Sequence, residues 1–173
     1  PDLFSRVCTR ASGLRSGCGP ENFAAAQDRL YLNGGDGRFI DVTAECGVEA
    51  PGGKGLGILA ADFSGNGLLD LYVANDTTAN FYFVNRTPKG GGSPSFSGEG
   101  LASGRAGDWQ GRPQAGMGIA AGDVENDGLL DLFVTNYYQD ANAFYRQRSP
   151  ELFRDDARTA GLARPGYLML GFG

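Results

Sequence analysis

Short apolar runs bounded by glycine, asparagine and aspartate follow one another along most of the chain. Runs of this length, apolar or alternating and separated by turn residues, are typical of β-strands. In the middle of the chain they predict strands at residues 57–61, 70–74 and 80–84, with a fourth strand around Phe96. We therefore predict an all-β chain built from short strands and tight turns.

The predicted four-strand unit repeats along the chain. The segment GILAAD at 57–62 realigns with GIAAGD at 118–123, and GLLDLYVAN at 67–75 realigns with GLLDLFVTN at 128–136. Both matches have an offset of 61 residues. A whole four-strand unit that recurs in this way is typical of a propeller blade, in which one twisted sheet packs on the next. We predict a β-propeller fragment with four-stranded blades.

A second repeated signal concerns aromatic residues and glycines. The chain has three phenylalanines spaced 57 residues apart, and a glycine follows each of them eight residues later: Phe39 and Gly47, Phe96 and Gly104, Phe153 and Gly161. Together the repeats divide the chain into five expected segments. These are an N-terminal loop or insert at 1–27, the second half of a blade at 28–54, full blades at 55–115 and 116–166, and the first strand of a next blade at 167–173. Because two and a half blades leave sheet edges open, and Pro1 is not methionine, we expect a piece of a longer protein.

The connection between strands one and two carries the candidate chemistry. In the second full unit, oxygen donors occupy loop positions one, three, five, seven and nine, where position seven offers its backbone carbonyl: Asp123, Glu125, Asp127, Leu129 and Asp131. The first full unit has the same spacing with fewer charges: Asp62, Ser64, Asn66, Leu68 and Asp70. Calcium takes about six to eight oxygen ligands, and a loop that curls around the ion offers alternate side chains. We predict two calcium sites, of which the less charged first loop binds more weakly.

Two other interpretations of these loops are open. A tight acidic hairpin can use its Asp and Asn side chains only to accept its own backbone amides. An EF-hand loop begins similarly, but it needs flanking helices and an acid at position twelve, where this chain has Val73 and Val134. Because the loop occurs at the same place in two matching repeats, we favour calcium binding.

The overall composition excludes several classes of function. The net charge of -5 and the pI of about 4.7 leave no basic stripe for nucleic acid. The chain has no histidine, which removes Ser-His-Asp and Cys-His catalysis. No apolar run is long enough to span a membrane. These features favour a binding protein, and we expect no enzyme activity.

The cysteines and several aromatic or asparagine residues allow more than one interpretation. Cys8 and Cys18 form either a disulfide in an oxidising compartment or two free thiols, and Cys46 resembles a small buried core residue. Two N-glycosylation sequons, at Asn75 and Asn85, are weak signals. Three loop aromatics either stack on sugars or pack at the rim: Trp109, Tyr137 and Tyr138.

The repeat pattern resembles FG-GAP/VCBS repeats. The stretch DRLYLNGGDGRFIDVT at 28–43 more narrowly resembles the ASPIC/UnbV (cartilage acidic protein-like) family. The resemblance implies an integrin α-like propeller with seven blades and calcium in the strand-one to strand-two loops. It also implies export, to a secreted, periplasmic or cell-surface location.

The function that we expect is that of a non-enzymatic adhesion or ligand-binding scaffold with a protein or glycan partner. Two alternatives remain open, a lectin-like carbohydrate-binding propeller and a polysaccharide lyase or hydrolase on the same fold.

Overall fold

A computed structural model of the chain describes residues 6–172, and within this range nearly all regular structure is β. One single-turn 3-10 helix, Pro20–Asn22, is present in the same range. The strands are β1 Cys8–Thr9, β2 Arg15–Ser16, β3 Tyr31–Asn33, β4 Phe39–Asp41, β5 Gly55–Ala61, β6 Asp70–Asn75, β7 Phe81–Asn85, β8 Phe96–Gly98, β9 Gly116–Gly122, β10 Asp131–Asn136, β11 Ala143–Ser149 and β12 Leu152–Asp155. The prediction of an all-β chain is confirmed. Over residues 6–172, no helix has the length and apolar character needed to cross a bilayer.

The strands form antiparallel sheets in chain order. Strands β5 to β8 make one four-stranded sheet and β9 to β12 make a second, while β3 pairs with β4 and β1 with β2. The register within the first sheet places Tyr72 opposite Leu59 on one side and Tyr82 on the other. These two sheets are the four-stranded blades that the repeats predict.

One face of the β5–β8 sheet packs on the β9–β12 sheet, and the other packs on the segment that follows β4. Alternate residues of β6 divide between two cores: Tyr72 and Ala74 belong to a cluster shared with β10 to β12, whereas Val73 belongs to a cluster with Cys46 and Val48. A strand that is buried on both faces has a nearly continuous run of apolar residues, and β6 has such a run in the middle of its sequence DLYVAN. Sheets stacked face to face in this way are the arrangement of propeller blades.

The repeated aromatic–glycine spacing has a physical cause at these interfaces. The backbone N–H of Phe96 donates to the carbonyl of Cys46 (2.7 Å), and the Phe153 N–H donates to the Ser103 carbonyl (2.8 Å). A Cβ at Gly104 would lie 2.5 Å from the Phe153 carbonyl oxygen. Glycine is therefore required where the turn after one outer strand meets the outer strand of the next blade.

A fully buried arginine lies between the two complete blades. Arg105 follows the repeated Gly104, at the position that Val48 and Leu162 occupy after Gly47 and Gly161. Its guanidinium lies 3.5 Å from the ring centroid of Tyr82 and 3.4 Å from that of Phe153. The corresponding residues of the other two repeats are aliphatic, whereas here a cation is stacked between two aromatic rings.

The two ends of the chain differ in what the structure describes. Cys8 and Cys18 form a disulfide that staples the β1–β2 hairpin, and Cys46 is a buried free thiol. Residues 167–172 contain turns and no strand, and Gly173 and residues 1–5 lie outside the described range. Two assignments therefore stay predictions: that of residues 167–173 to a next blade and that of residues 1–27 to an N-terminal loop or insert.

Candidate functional site

The two candidate loops lie at the same end of the two complete sheets. One joins β5 to β6 and the other joins β9 to β10, so both connect the first two strands of a blade. Loop position six is glycine in each, and Gly67 and Gly128 both have a φ of +86°. This conformation favours glycine.

The side chains at positions one and five accept the same backbone hydrogen bonds in both loops. The Asp62 carboxylate accepts the N–H groups of Asn66 (3.0 Å) and Gly67 (2.8 Å). The Asp123 carboxylate accepts those of Asp127 (3.0 Å) and Gly128 (2.9 Å). At position five, Asn66 Oδ1 accepts the Leu68 N–H and Asp127 Oδ1 accepts the Leu129 N–H. The local sequence therefore folds both loops into one shape.

The aspartate at position nine is buried in both loops. Asp70 accepts N–H groups from Ser64 and Asn85, both at 2.8 Å, and the Tyr82 hydroxyl at 2.9 Å. Asp131 accepts the N–H groups of Val124 (3.1 Å) and Gln147 (2.9 Å). A buried carboxylate needs such donors because an unpaired charge is costly to bury. Position nine thus anchors its loop to the blade.

The carboxylate at position three of the second loop forms an ion pair with a cation from the neighbouring strand. Glu125 pairs with Arg146 of β11. Desolvation raises the pKa of Glu125, the negative charges of Asp131 and Asp127 raise it further, and Arg146 lowers it. The position that corresponds to Arg146 in the first blade is Val84, which supplies no cation to the first loop. The second loop therefore concentrates negative charge and also partly neutralises it.

The oxygen atoms predicted as ligands in both loops are of the chemical kind that calcium binds. Every predicted ligand atom is a hard oxygen, which is the chemistry that calcium selects. Each carboxylate oxygen has two acceptor positions, so a backbone hydrogen bond leaves one for an ion. Within residues 6–172, no three His, Cys, Asp or Glu side chains are positioned to hold a metal. The first loop offers only two acids, and in the second Glu125 is engaged with Arg146. The ligand assignment stays a prediction, as does the hairpin alternative.

The two sequons have structural roles in the blade. Asn75 is fully buried, and its Nδ2 donates to the Ala79 carbonyl at 2.7 Å. Asn85 Nδ2 donates to the Leu69 carbonyl at 2.9 Å. Glycosylation requires a free side-chain nitrogen at the surface. The buried Asn75 does not offer one in this fold, whereas Asn85 is partly exposed.

The opposite end of the sheets has a different chemistry. Successive antiparallel strands alternate ends, so the β10–β11 loop and the segment after β12 lie away from the acidic loops. There, Trp109, Tyr137 and Tyr138 are each about half exposed, at 52%, 48% and 48%. Recesses of about 830 Å³ and about 560 Å³ share Trp109, Asp108 and Asp155 in their walls. Sequence reasoning found the tryptophan but not the recesses, because their walls come from distant segments.

Comparisons with known proteins agree with this architecture. Residues 18–73 and 62–134 match the FG-GAP-like repeat family. The chain is 27% identical over 138 residues to cartilage acidic protein 1 from Homo sapiens, and equally to the Mus musculus protein. Each alignment covers 76% of this chain and 18% of the relative, so the chain spans less than a fifth of the length of these relatives. The predicted similarity to cartilage acidic protein is thereby confirmed. The repeated strands, the paired loops and the family match together show that the chain belongs to the FG-GAP-like repeat family.

Proposed function

We propose that this chain is part of an exported propeller that binds calcium in its strand-one to strand-two loops and serves as a non-enzymatic scaffold for adhesion or ligand binding. The observation that carries the proposal is the shared loop. Two loops of equal oxygen spacing occupy equivalent places in adjacent blades, and their first and fifth positions make the same hydrogen bonds.

Calcium would supply positive charge at the centre of each loop. In the second loop desolvation raises the pKa of Glu125, and the carboxylates of Asp131 and Asp127 raise it further because they repel a negative charge nearby. A divalent ion offsets this repulsion and stabilises the folded loop. Asp70 and Asp131 lie in buried positions at the start of β6 and β10, so a stiffened loop would also stiffen the blade.

Three features favour a scaffold over an enzyme. The chain has no histidine for general acid–base chemistry. The acids of both loops accept backbone amides, which gives them a structural task. Most of the family-matched region consists of blade strands and the turns between them. We therefore propose that the chain acts as a binding scaffold. A polysaccharide lyase or hydrolase is the less favoured alternative.

The proposal of export rests on the disulfide. Cys8 and Cys18 are bonded in a short hairpin near the surface. Disulfides persist in oxidising compartments and are rare in the cytosol. A secreted, periplasmic or cell-surface location also supplies the calcium that the loops would bind.

The direct test is a thermal melt of the protein with excess calcium and with a chelator. We expect calcium to raise the Tm, because a ligand that binds only the folded state stabilises it by about 2.7 kcal/mol at a hundredfold excess over Kd. The double variant Asp123→Ala, Asp127→Ala should lose a large part of the shift. Asp36→Ala, which removes an acid from the β3–β4 hairpin, is the matched control and should retain it. A Tm that does not respond to calcium, with no metal detected by elemental analysis, would leave the loops as plain hairpin turns.

A further inference from the structure

Two recesses share Asp108, Trp109 and Asp155 in their walls, at the end of the sheets that lies away from the acidic loops, and together they are called the cleft below. The larger recess measures about 830 Å³, which is within the range of about 300–1,000 Å³ typical of small-molecule sites. Trp109 stands in the wall of both recesses and is 52% exposed. A half-exposed aromatic side chain that lines two recesses offers an apolar surface to a ligand in either of them.

The carboxylates of the cleft already have their partners. Asp108 accepts the Nε and Nη2 of Arg112 at 2.9 and 2.7 Å. Asp155 accepts the N–H groups of Phe144, Ala157 and Trp109, all at 3.0–3.1 Å.

Two further carboxylates line the cleft. Asp156 accepts Arg154 Nε at 2.7 Å. Asp140 accepts Gln114 Nε2 at 2.8 Å and the Ala115 N–H at 3.1 Å. Gln114 is 6% exposed and also donates to the Ala141 carbonyl at 2.7 Å. Hydrogen bonds therefore link residues that line the larger recess. The acids of the cleft therefore support its shape and are poor candidates for binding cations.

Two cations of the cleft lack a carboxylate partner. Within residues 6–172, neither Arg158 nor Arg164 has an acidic oxygen within 4.0 Å. The guanidinium of Arg158 lies 4.6 Å from the centroid of the Trp109 ring. Stacking leaves the edge of a guanidinium, with its N–H donors, available to an anion. The cleft thus combines an aromatic surface with unpaired planar cations.

We propose that this cleft binds an acidic oligosaccharide, a chain of sugar units bearing carboxylates, with a sugar face against Trp109 and a carboxylate on Arg158 or Arg164. The proposal rests on the proposed function, since it names the ligand class of the scaffold. Sugar rings present apolar C–H faces and hydroxyl groups, which suit a tryptophan set among polar side chains. Uronic-acid carboxylates match the bidentate donor geometry of arginine.

Trp109 is the only tryptophan of the chain, so its fluorescence reports directly on the cleft. We would titrate the calcium-loaded protein with α-1,4-linked trigalacturonic acid and follow both fluorescence and heat of binding. The fully methyl-esterified trimer is the matched ligand control, because it keeps the sugar skeleton and lacks the charges. We expect saturable binding of the acid that weakens with salt, and about tenfold weaker binding of the ester, since one charged hydrogen bond is lost.

The protein variants separate the cleft from general charge effects. Arg158→Gln and Arg164→Gln should each weaken binding of the acid, with about a tenfold loss in the one that holds the carboxylate. Arg38→Gln, an exposed arginine in the β3–β4 hairpin, is the control and should bind as the wild type does.

Several results would overturn the proposal. They are the absence of any saturable response to the acid, equal binding of acid and ester, unchanged binding in both cleft variants, and tighter binding of a glutamate-rich peptide than of the trimer. A calcium-dependent Tm that persists without saccharide binding would refute the cleft alone. Saccharide binding without a calcium response would refute the calcium sites alone.

Discussion

Replacing Arg105 tests how the two complete blades hold together. The side chain has no exposed surface, and its guanidinium is stacked between Tyr82 and Phe153 with Phe63 at 5.4 Å. Its Nε donates to Ser103 Oγ at 3.1 Å, while neither terminal nitrogen has a hydrogen-bond partner among the described residues. The residue therefore contributes shape and stacking, and it also buries a poorly solvated charge.

The two electrostatic effects nearly cancel. Burial lowers the pKa of Arg105 to about 10 from an ordinary value of 12.5. This difference corresponds to about 3 kcal/mol against the charged form in the folded state. Desolvated cation–π contacts contribute about 2 kcal/mol each, so the two close rings offset about 4 kcal/mol. What remains is the volume of the side chain, which fills the space between the blades.

Arg105→Met and Arg105→Ala separate volume from charge. Methionine retains most of the volume and removes both electrostatic effects, so we expect a loss of at most about 1.5 kcal/mol in the free energy of unfolding. Alanine leaves a cavity between aromatic rings, and we expect a loss of about 2–5 kcal/mol. Urea unfolding followed by circular dichroism measures both values, with Arg38→Ala as an exposed control. If the methionine variant were as unstable as the alanine variant, the guanidinium charge itself would be required and the reasoning would be wrong.

Three further predictions concern the second loop, alkaline stability and the disulfide. Arg146→Gln should raise the calcium affinity of the second loop about fivefold in calorimetry, because Glu125 loses a competing cation; an unchanged or lower affinity would contradict this. Burial raises the pKa of Tyr145, so the unfolded chain ionises first and stability falls as the pH rises above 10, by up to about 1.4 kcal/mol per pH unit for this residue. Tyr145→Phe should show a shallower loss in urea unfolding between pH 9 and 11, and an equal slope would exclude this tyrosine as a cause. Cys8→Ser should increase proteolysis within the β1–β2 hairpin and leave the Tm nearly unchanged, because neither Cys8 nor Cys18 belongs to a core cluster; a large fall in Tm would show that the hairpin supports the blades.

The sequence by itself determined the architecture to a large extent. The repeats at an offset of 61 residues predicted two four-stranded sheets, and the structure has them at β5–β8 and β9–β12. The turn of the acidic loops was also predictable, because the hydrogen bonds of positions one and five join residues at most five positions apart. Gly67 and Gly128 have the positive φ that the turn requires. Local patterns of this kind survive in a single sequence because each repeat is one structural unit.

Only the tertiary structure decided how these units complement one another. The other two repeats have an aliphatic residue at the position of Arg105, but the rings of Tyr82 and Phe153 come from two different blades and make an arginine suitable there. Likewise, the pairing of Glu125 with Arg146 and the cleft around Trp109 join segments that are about twenty to sixty residues apart. Such contacts depend on the stacking of whole sheets, and no pattern within one strand or loop encodes which side chain will lie opposite.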